Sequence, residues 1–238
     1  MNRLFRFIKH LFTGTVGAKK SDRFLLSVGV ENSRKFGACP GAGLDAKRIH
    51  NKVAAGEKIL LLSGEATKSA IKSALKRGVA ETDDDGLFIF FYSGHGGQVK
   101  AKTDKTEEDG KDETLCLYDG ELIDNEIWSI LSSAKCRVFM MTDCCHSGTN
   151  FRSAAFFAGK VYAESSSGLR LLHWGGCSDH EYSYGDAAGG VMTNAILSII
   201  SKGYTYKEAF KKVVYKSRNS EMPVKFNLGF DEGVELFK

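Results

Sequence analysis

The sequence predicts an α/β protein built on a mostly parallel sheet with helices on both faces. Three observations carry this. Apolar runs of strand length alternate with segments of helical periodicity. The run at 86–93 is apolar almost throughout, as a strand covered on both faces should be. Chemistry-bearing residues follow or end two successive runs, where ligands bind in open α/β sheets.

The elements follow in order. RFLLSVGV (23–30) reads as a buried strand, and Ala42, Ala46, Ile49 and Val53 recur at helical spacing after it. KILLLS (58–63) is a second strand, and Ile71, Ala74 and Leu75 mark a second amphipathic helix. GLFIFFYS (86–93) is the third strand. The polar run 100–113 reads as a surface loop, LCLYD (115–119) as a short strand, and Ile123, Ile127, Ile130 and Leu131 as a helix. CRVFMMTDC (136–144) is the fourth main strand, followed by a Ser/Gly/Ala-rich stretch (147–168) read as a mobile loop. LRLLHW (169–174) is another strand, and Ala195, Ile196, Ile199 and Ile200 give a helix. Thr205 with Glu208 forms a capping box that opens a further helix, and VKFNL (224–228) is the last strand.

At 238 residues, with 42% hydrophobic and 26% charged side chains, the chain can bury the core of a soluble domain. Its net charge of +4 is not spread evenly. Arg3, Arg6, Lys9, Lys19 and Lys20 give the first twenty residues +5, and the rest carries 28 basic against 29 acidic residues. A near-neutral body excludes a general nucleic-acid binder. The expected division is a basic amphipathic segment at 1–22 and one domain at 23–238. Residues 3–12 form a candidate membrane-surface or partner-binding helix; the plainer reading is a short helix packed on the body or a frayed terminus. The six cysteines show no disulfide framework, which points to a reducing, cytoplasmic compartment.

Two motifs carry the chemistry. FYSGHGG (91–97) and TDCCHSG (142–148) each read as a Gly/Ser turn after an apolar run, with His95 and Cys145 fifty residues apart. A thiol attacks as the thiolate and needs a base; His95, near neutral in its unperturbed pKa, fits that role and can return the proton to a leaving amine. The N–H groups of Gly96 and Cys145 are the expected oxyanion donors. Zinc is a poor reading of Cys144, Cys145 and His146, because adjacent residues do not easily converge on one ion. Ser93 and Ser147 lack a nucleophile elbow.

On these residues the chain resembles the caspase-like cysteine peptidases, most closely their metacaspase branch. Y-S-G-H-G is found at Tyr92–Gly96 and D-x-C-H-S-G at Asp143–Gly148. The family nucleophile directly precedes His-Ser-Gly, which selects Cys145 over Cys144. GLDA (43–46), EEDGKDE (107–113), LIDNEI (122–127), GGCSDHEYSYGD (175–186) and NSEMP (219–223) extend the likeness over about residues 23–230. The resemblance implies a three-layer α/β/α caspase-like fold and a cysteine endopeptidase acting on protein or peptide substrates. It also implies a specificity pocket of Asp45, Ser93 and Asp143, whose two carboxylates favour Arg or Lys before the cut. Self-cleavage at Arg152, Lys160 or Arg170 would be allowed.

Metacaspases are often calcium-activated, and the candidate ligands are Asp109, Asp112 and Asp124. Asn125 stands at a usually acidic position and Arg152 near another, which counts against calcium but leaves its involvement open; no cofactor is required for the chemistry. Two alternatives are an Asp-specific caspase-like peptidase, which needs a basic pocket, and a non-catalytic caspase-like scaffold, which does not need an intact His95 and Cys145.

Overall fold

The computed structural model describes residues 20–100, 111–145, 168–176, 187–220 and 223–238. The basic segment up to residue 19 lies outside them, as do Asp109, Arg152, Lys160 and nearly all of 147–168. No helix among the described residues is long and apolar enough to cross a membrane.

The chain begins with β1 (Ser21–Gly29), α1 (Ala42–Lys52), β2 (Glu57–Leu62) and α2 (Lys68–Glu81). It continues through β3 (Thr82–Lys100), β4 (Lys111–Cys116), β5 (Glu121–Ile123) and α3 (Asp124–Leu131). It closes with β6 (Arg137–Cys145), β7 (Arg170–Gly175), α4 (Val191–Leu197), α5 (Tyr206–Ser217) and β8 (Val224–Leu228). The main sheet runs β2-β1-β3-β6-β7-β8, parallel throughout except for β8.

Alternation along the strands builds two cores. Phe24, Leu26 and Val28 of β1, Phe88, Phe90 and Tyr92 of β3, and Val138, Met140 and Cys144 of β6 face α2 and α3 through Ile71, Leu75, Ile127 and Leu131. Leu25, Leu87, Ile89, Phe91, Phe139 and Met141 face α1, α4 and α5 through Ile49, Ile196, Tyr206 and Val213. Both sets of β3 residues are fully buried, which is why that run shows no polar alternation. The result is the expected three-layer α/β/α arrangement. Glu208 accepts from the Thr205 backbone N–H and Thr205 Oγ1 accepts from that of Glu208, so the predicted capping box starts α5.

Three local expectations are corrected. β3 does not stop at Ser93 in a turn: it runs on through the histidine motif and, from Gly96, pairs antiparallel with β4. Glycines without side chains read as a turn, but here they keep an extended backbone that changes partners. Second, Lys111–Glu113 belong to β4 and not to a surface loop, with Asp112 and Glu113 buried. Third, Arg170 lies in β7, its guanidinium donating to the Asp84 and Lys135 carbonyls, so cleavage after it would first require β7 to come away.

The rims of the main sheet are β2 and β8. Beside β8, Lys225 Nζ meets Glu232 at 2.7 Å, and Asn227 donates to the Phe230 carbonyl and to Glu232.

Candidate active site

β3 and β6 pair in parallel from Leu87 with Arg137 to His95 with Cys145. The two backbones therefore stand side by side at the carboxyl end of the sheet, about 4.8 Å apart as neighbouring strands are. This is the juxtaposition expected from the fifty-residue spacing. Cys145 is described through its backbone position alone.

The imidazole is oriented by main chain. His95 Nε2 lies 3.0 Å from the Ala38 carbonyl oxygen. A carbonyl oxygen only accepts, so Nε2 carries the proton and the neutral ring keeps its lone pair on Nδ1. That Nδ1 is enclosed and has no hydrogen-bond partner among the described residues. Ala38 is fixed by a β-bridge to Asn32 and by the neighbouring Cys39 N–H, which donates to the Glu31 carbonyl at 2.8 Å. The same loop is tied to the β4–β5 turn through Ser33 Oγ to Leu117 O and Arg34 N–H to Tyr118 O. Sequence reading missed Ala38, since a main-chain carbonyl leaves no residue signature.

Cys144 is 3% exposed and packs in the core with Tyr92, Val138 and Met140. Its side chain is committed to the interior, consistent with the choice of Cys145 from the pair. Gly96 lies one residue past the His95–Cys145 pair, opposite Leu115 in the β3–β4 ladder.

Asp45, Ser93 and Asp143 come together beside this pair. Ser93 Oγ donates to Asp45 Oδ2 at 3.2 Å, and the Gly190 N–H donates to the same oxygen at 2.8 Å. Asp143 Oδ2 accepts from the Thr193 N–H at 2.9 Å and from Thr193 Oγ1. Both acids are thus held by the first turn of α4, which begins at Gly190 without a side-chain cap of its own. Asp143 supplies that missing cap. The two Oδ1 atoms are buried and have no hydrogen-bond partner among the described residues. Arg48 Nη1 sits 3.8 Å from Asp45 Oδ1 and donates to the Ala188 carbonyl at 3.0 Å. Thr193, Gly190 and Arg48 were not singled out from sequence; Thr193 and Gly190 matter through contacts remote in the chain, and Arg48 joins Asp45, three residues before it, to the distant Ala188 carbonyl.

Burial and then the charge of Asp143 push the Asp45 carboxyl up from 3.8 to about 7, against the Gly190 and Ser93 hydrogen bonds. Burial also raises Asp143, against its two bonds from Thr193. Both enclosed carboxyls thus hold their protons more tightly than free ones do.

Of the calcium candidates, Asp109 lies outside the described residues, and Asp112 and Asp124 both accept from Asn125. Asn125 donates its side-chain amide to Asp112 Oδ1 at 2.9 Å and its backbone N–H to Asp124 Oδ1 at 2.7 Å. An amide donor thus occupies an oxygen that a hard cation would use. Among the described residues no group of three His, Cys, Asp or Glu side chains is placed to hold a metal ion.

Residues 49–153 match the family described as metacaspase, peptidase C14 domain, a stretch that contains His95, Asp143 and Cys145 and begins just after Asp45. Metacaspase-1 of Schizosaccharomyces pombe is 33% identical over 137 residues, covering 52% of this chain and 31% of the relative. The chain thus spans under a third of that relative's length. Among solved structures, a protein from Geobacter sulfurreducens superimposes with a TM-score of 0.69 at 24% identity, over 88% of this chain and 94% of that one. The Drosophila initiator caspase Dronc gives 0.58 at 14% identity, over 90% and 82%. A segment similar to the metacaspase C14 domain is thus set in a three-layer framework of the kind the caspases share.

Proposed function

We propose that the chain is a cysteine endopeptidase that cuts after Arg or Lys. The observation that carries the reading is the pairing of His95 with Cys145 at the strand ends, with Nε2 on Ala38 and Nδ1 left as acceptor. In this reading Nδ1 takes the Cys145 thiol proton, and the thiolate attacks the scissile carbonyl carbon. The Gly96 and Cys145 N–H groups receive the oxyanion. The tetrahedral species collapses as His95 returns the proton to the leaving amine, giving a thioester. Water, deprotonated by His95, attacks the thioester and releases the acid and the thiol.

The acid pair supports a basic residue before the cut. A guanidinium or ammonium entering between Asp45 and Asp143 would meet two Oδ1 atoms that accept no hydrogen bond from the described residues, Asp45 Oδ1 having only Arg48 at 3.8 Å, and an Asp side chain would be repelled. Calcium has no role in these steps.

A fluorogenic peptide ending in Arg tests the reading, alongside one ending in Asp, each with calcium and with chelator. The expected result is hydrolysis of the Arg peptide in both media, retained in Cys144→Ala and abolished in Cys145→Ala. Activity that survives Cys145→Ala but not Cys144→Ala would overturn the nucleophile assignment. Preference for the Asp peptide would overturn the pocket.

A further inference from the structure

Tyr92 is fully buried on the α2–α3 side of the sheet. Its hydroxyl oxygen lies 2.8 Å from the His95 carbonyl oxygen and 2.8 Å from that of Cys116. A hydroxyl has one proton, and both neighbours can only accept, so the group acts as a donor shared by two carbonyls. The contact falls where β3 leaves β6 after His95 and takes up β4 from Gly96. Gly94 makes room for it: a Cβ there would lie 2.6 Å from the hydroxyl oxygen and 2.9 Å from Cζ.

The bond has a consequence for the next residue. His95 C=O and Gly96 N–H belong to one peptide unit, and the chain has no cis peptide bonds among its described residues. In a trans peptide these two groups point in opposite directions. Anchoring the carbonyl on Tyr92 therefore turns the Gly96 N–H away from the α2–α3 core and holds it there.

We propose that Tyr92 is a positioning residue whose hydroxyl fixes the His95–Gly96 peptide and so aims the Gly96 N–H at the oxyanion of the tetrahedral species. The proposal rests on the peptidase reading and adds a residue that touches no substrate. It assigns the tyrosine of Y-S-G-H-G a defined task, and it explains why glycine stands two positions after it.

Tyr92→Phe removes only the hydroxyl. Tyr206→Phe is the matched control: Tyr206 is also fully buried and its hydroxyl accepts from the Phe237 N–H, but it belongs to the opposite core. Three quantities are measured on each variant: kcat and KM for the Arg peptide, affinity for a peptide argininal, and the rate of Cys145 alkylation by iodoacetamide. The argininal forms a tetrahedral adduct that needs the oxyanion donor; alkylation needs only the thiolate. Loss of an oxyanion donor costs about 10²–10³ in kcat, so loosening one should lower kcat roughly tenfold or more. For Tyr92→Phe the expected pattern is that fall in kcat, a matching loss of argininal affinity, and KM and alkylation within about twofold of wild type. Tyr206→Phe should leave all of these unchanged. Gly94→Ala, which crowds the hydroxyl, should reproduce the Tyr92→Phe pattern and serves if Tyr92→Phe does not fold. Unchanged kcat and argininal affinity would overturn the proposal, as would an equal loss of alkylation. A wild-type chain inert to the Arg peptide, the Asp peptide and argininal alike would instead overturn the peptidase reading itself.

Discussion

The His95–Cys145 pair and the Asp45–Asp143 pair lie at the same end of the sheet but are held by different means. The first is fixed chiefly by main chain, a nine-pair parallel ladder and the Ala38 carbonyl on Nε2, with one side-chain addition, the Tyr92 hydroxyl on the His95 carbonyl. The second is fixed by bonds from one short helix turn, Gly190 to Asp45 across 145 residues and Thr193 to Asp143 across 50. Main-chain anchoring makes the reacting geometry insensitive to most side-chain changes nearby. Side-chain anchoring would make the proposed pocket adjustable, and exposes its acids to protonation. Damage to the first region should therefore appear in kcat and damage to the second in KM.

The strongest way to break that division is His95→Ala. Removal of a general base costs roughly 10²–10⁴-fold, and this loss should fall on kcat with KM for the Arg peptide little changed. A loss seen mainly in KM would show that the imidazole binds substrate and does not move a proton.

Asp45→Asn sharpens the contrast from the other side. It should lower kcat/KM for Arg peptides by roughly 10²-fold through KM, as deleting one partner of an enclosed charge pair does. The pH profile carries the same information. Because the Asp45 carboxyl titrates near 7, KM for Arg peptides should fall as pH rises from about 6 to 8 and the pocket gains charge. The sign for stability is opposite. An acid whose folded value is raised from 3.8 holds its proton in the native state where the unfolded chain has released it, so stability declines as pH climbs from 3.8 to about 7 and levels off above that. Asp45→Asn should flatten both curves and melt higher than wild type at pH 8. Thermal melts at pH 5 and 8 with a KM series across the range check it; a wild-type KM independent of pH would refute the shared-charge account.

The smallest expected effect lies outside both regions. Thr205→Ala removes the α5 cap at a cost of about 1 kcal/mol, roughly 2–4 °C in Tm for a chain of this size, with kcat and KM unchanged. A change in kcat/KM would mean that α5 is coupled to the site through the core it shares with α4.

What the sequence made legible follows this contrast. The strands announced themselves because residues such as Phe88–Phe91 are apolar on both faces, and β8 was read to its residue limits at Val224–Leu228. The His95–Cys145 juxtaposition was legible because parallel neighbours place consecutive strand ends side by side. The extension of β3 past Ser93 was not, since Gly94, Gly96 and Gly97 score as a turn wherever tertiary pairing is unknown. Ala38 was illegible in principle, because its contribution is a peptide oxygen. Thr193 and Gly190 were hidden for a related reason: nothing in GGVMTN reveals that two distant acids will lean on it. Residues whose chemistry is in the side chain can be nominated from sequence, whereas those whose work is to hold others emerge only with the fold.

The fringe beside β8 has a consequence for how the molecule behaves in company. A strand with one unpaired side is a template on which another chain can lay its own backbone. Lys225 and Asn227 bind the turn that follows, so any strand approaching this rim meets an ammonium, an amide and a carboxylate already engaged with one another. Stripping those polar groups should leave the interior intact while inviting neighbouring molecules to stack, so a few contacts that take no part in the proposed chemistry guard this rim.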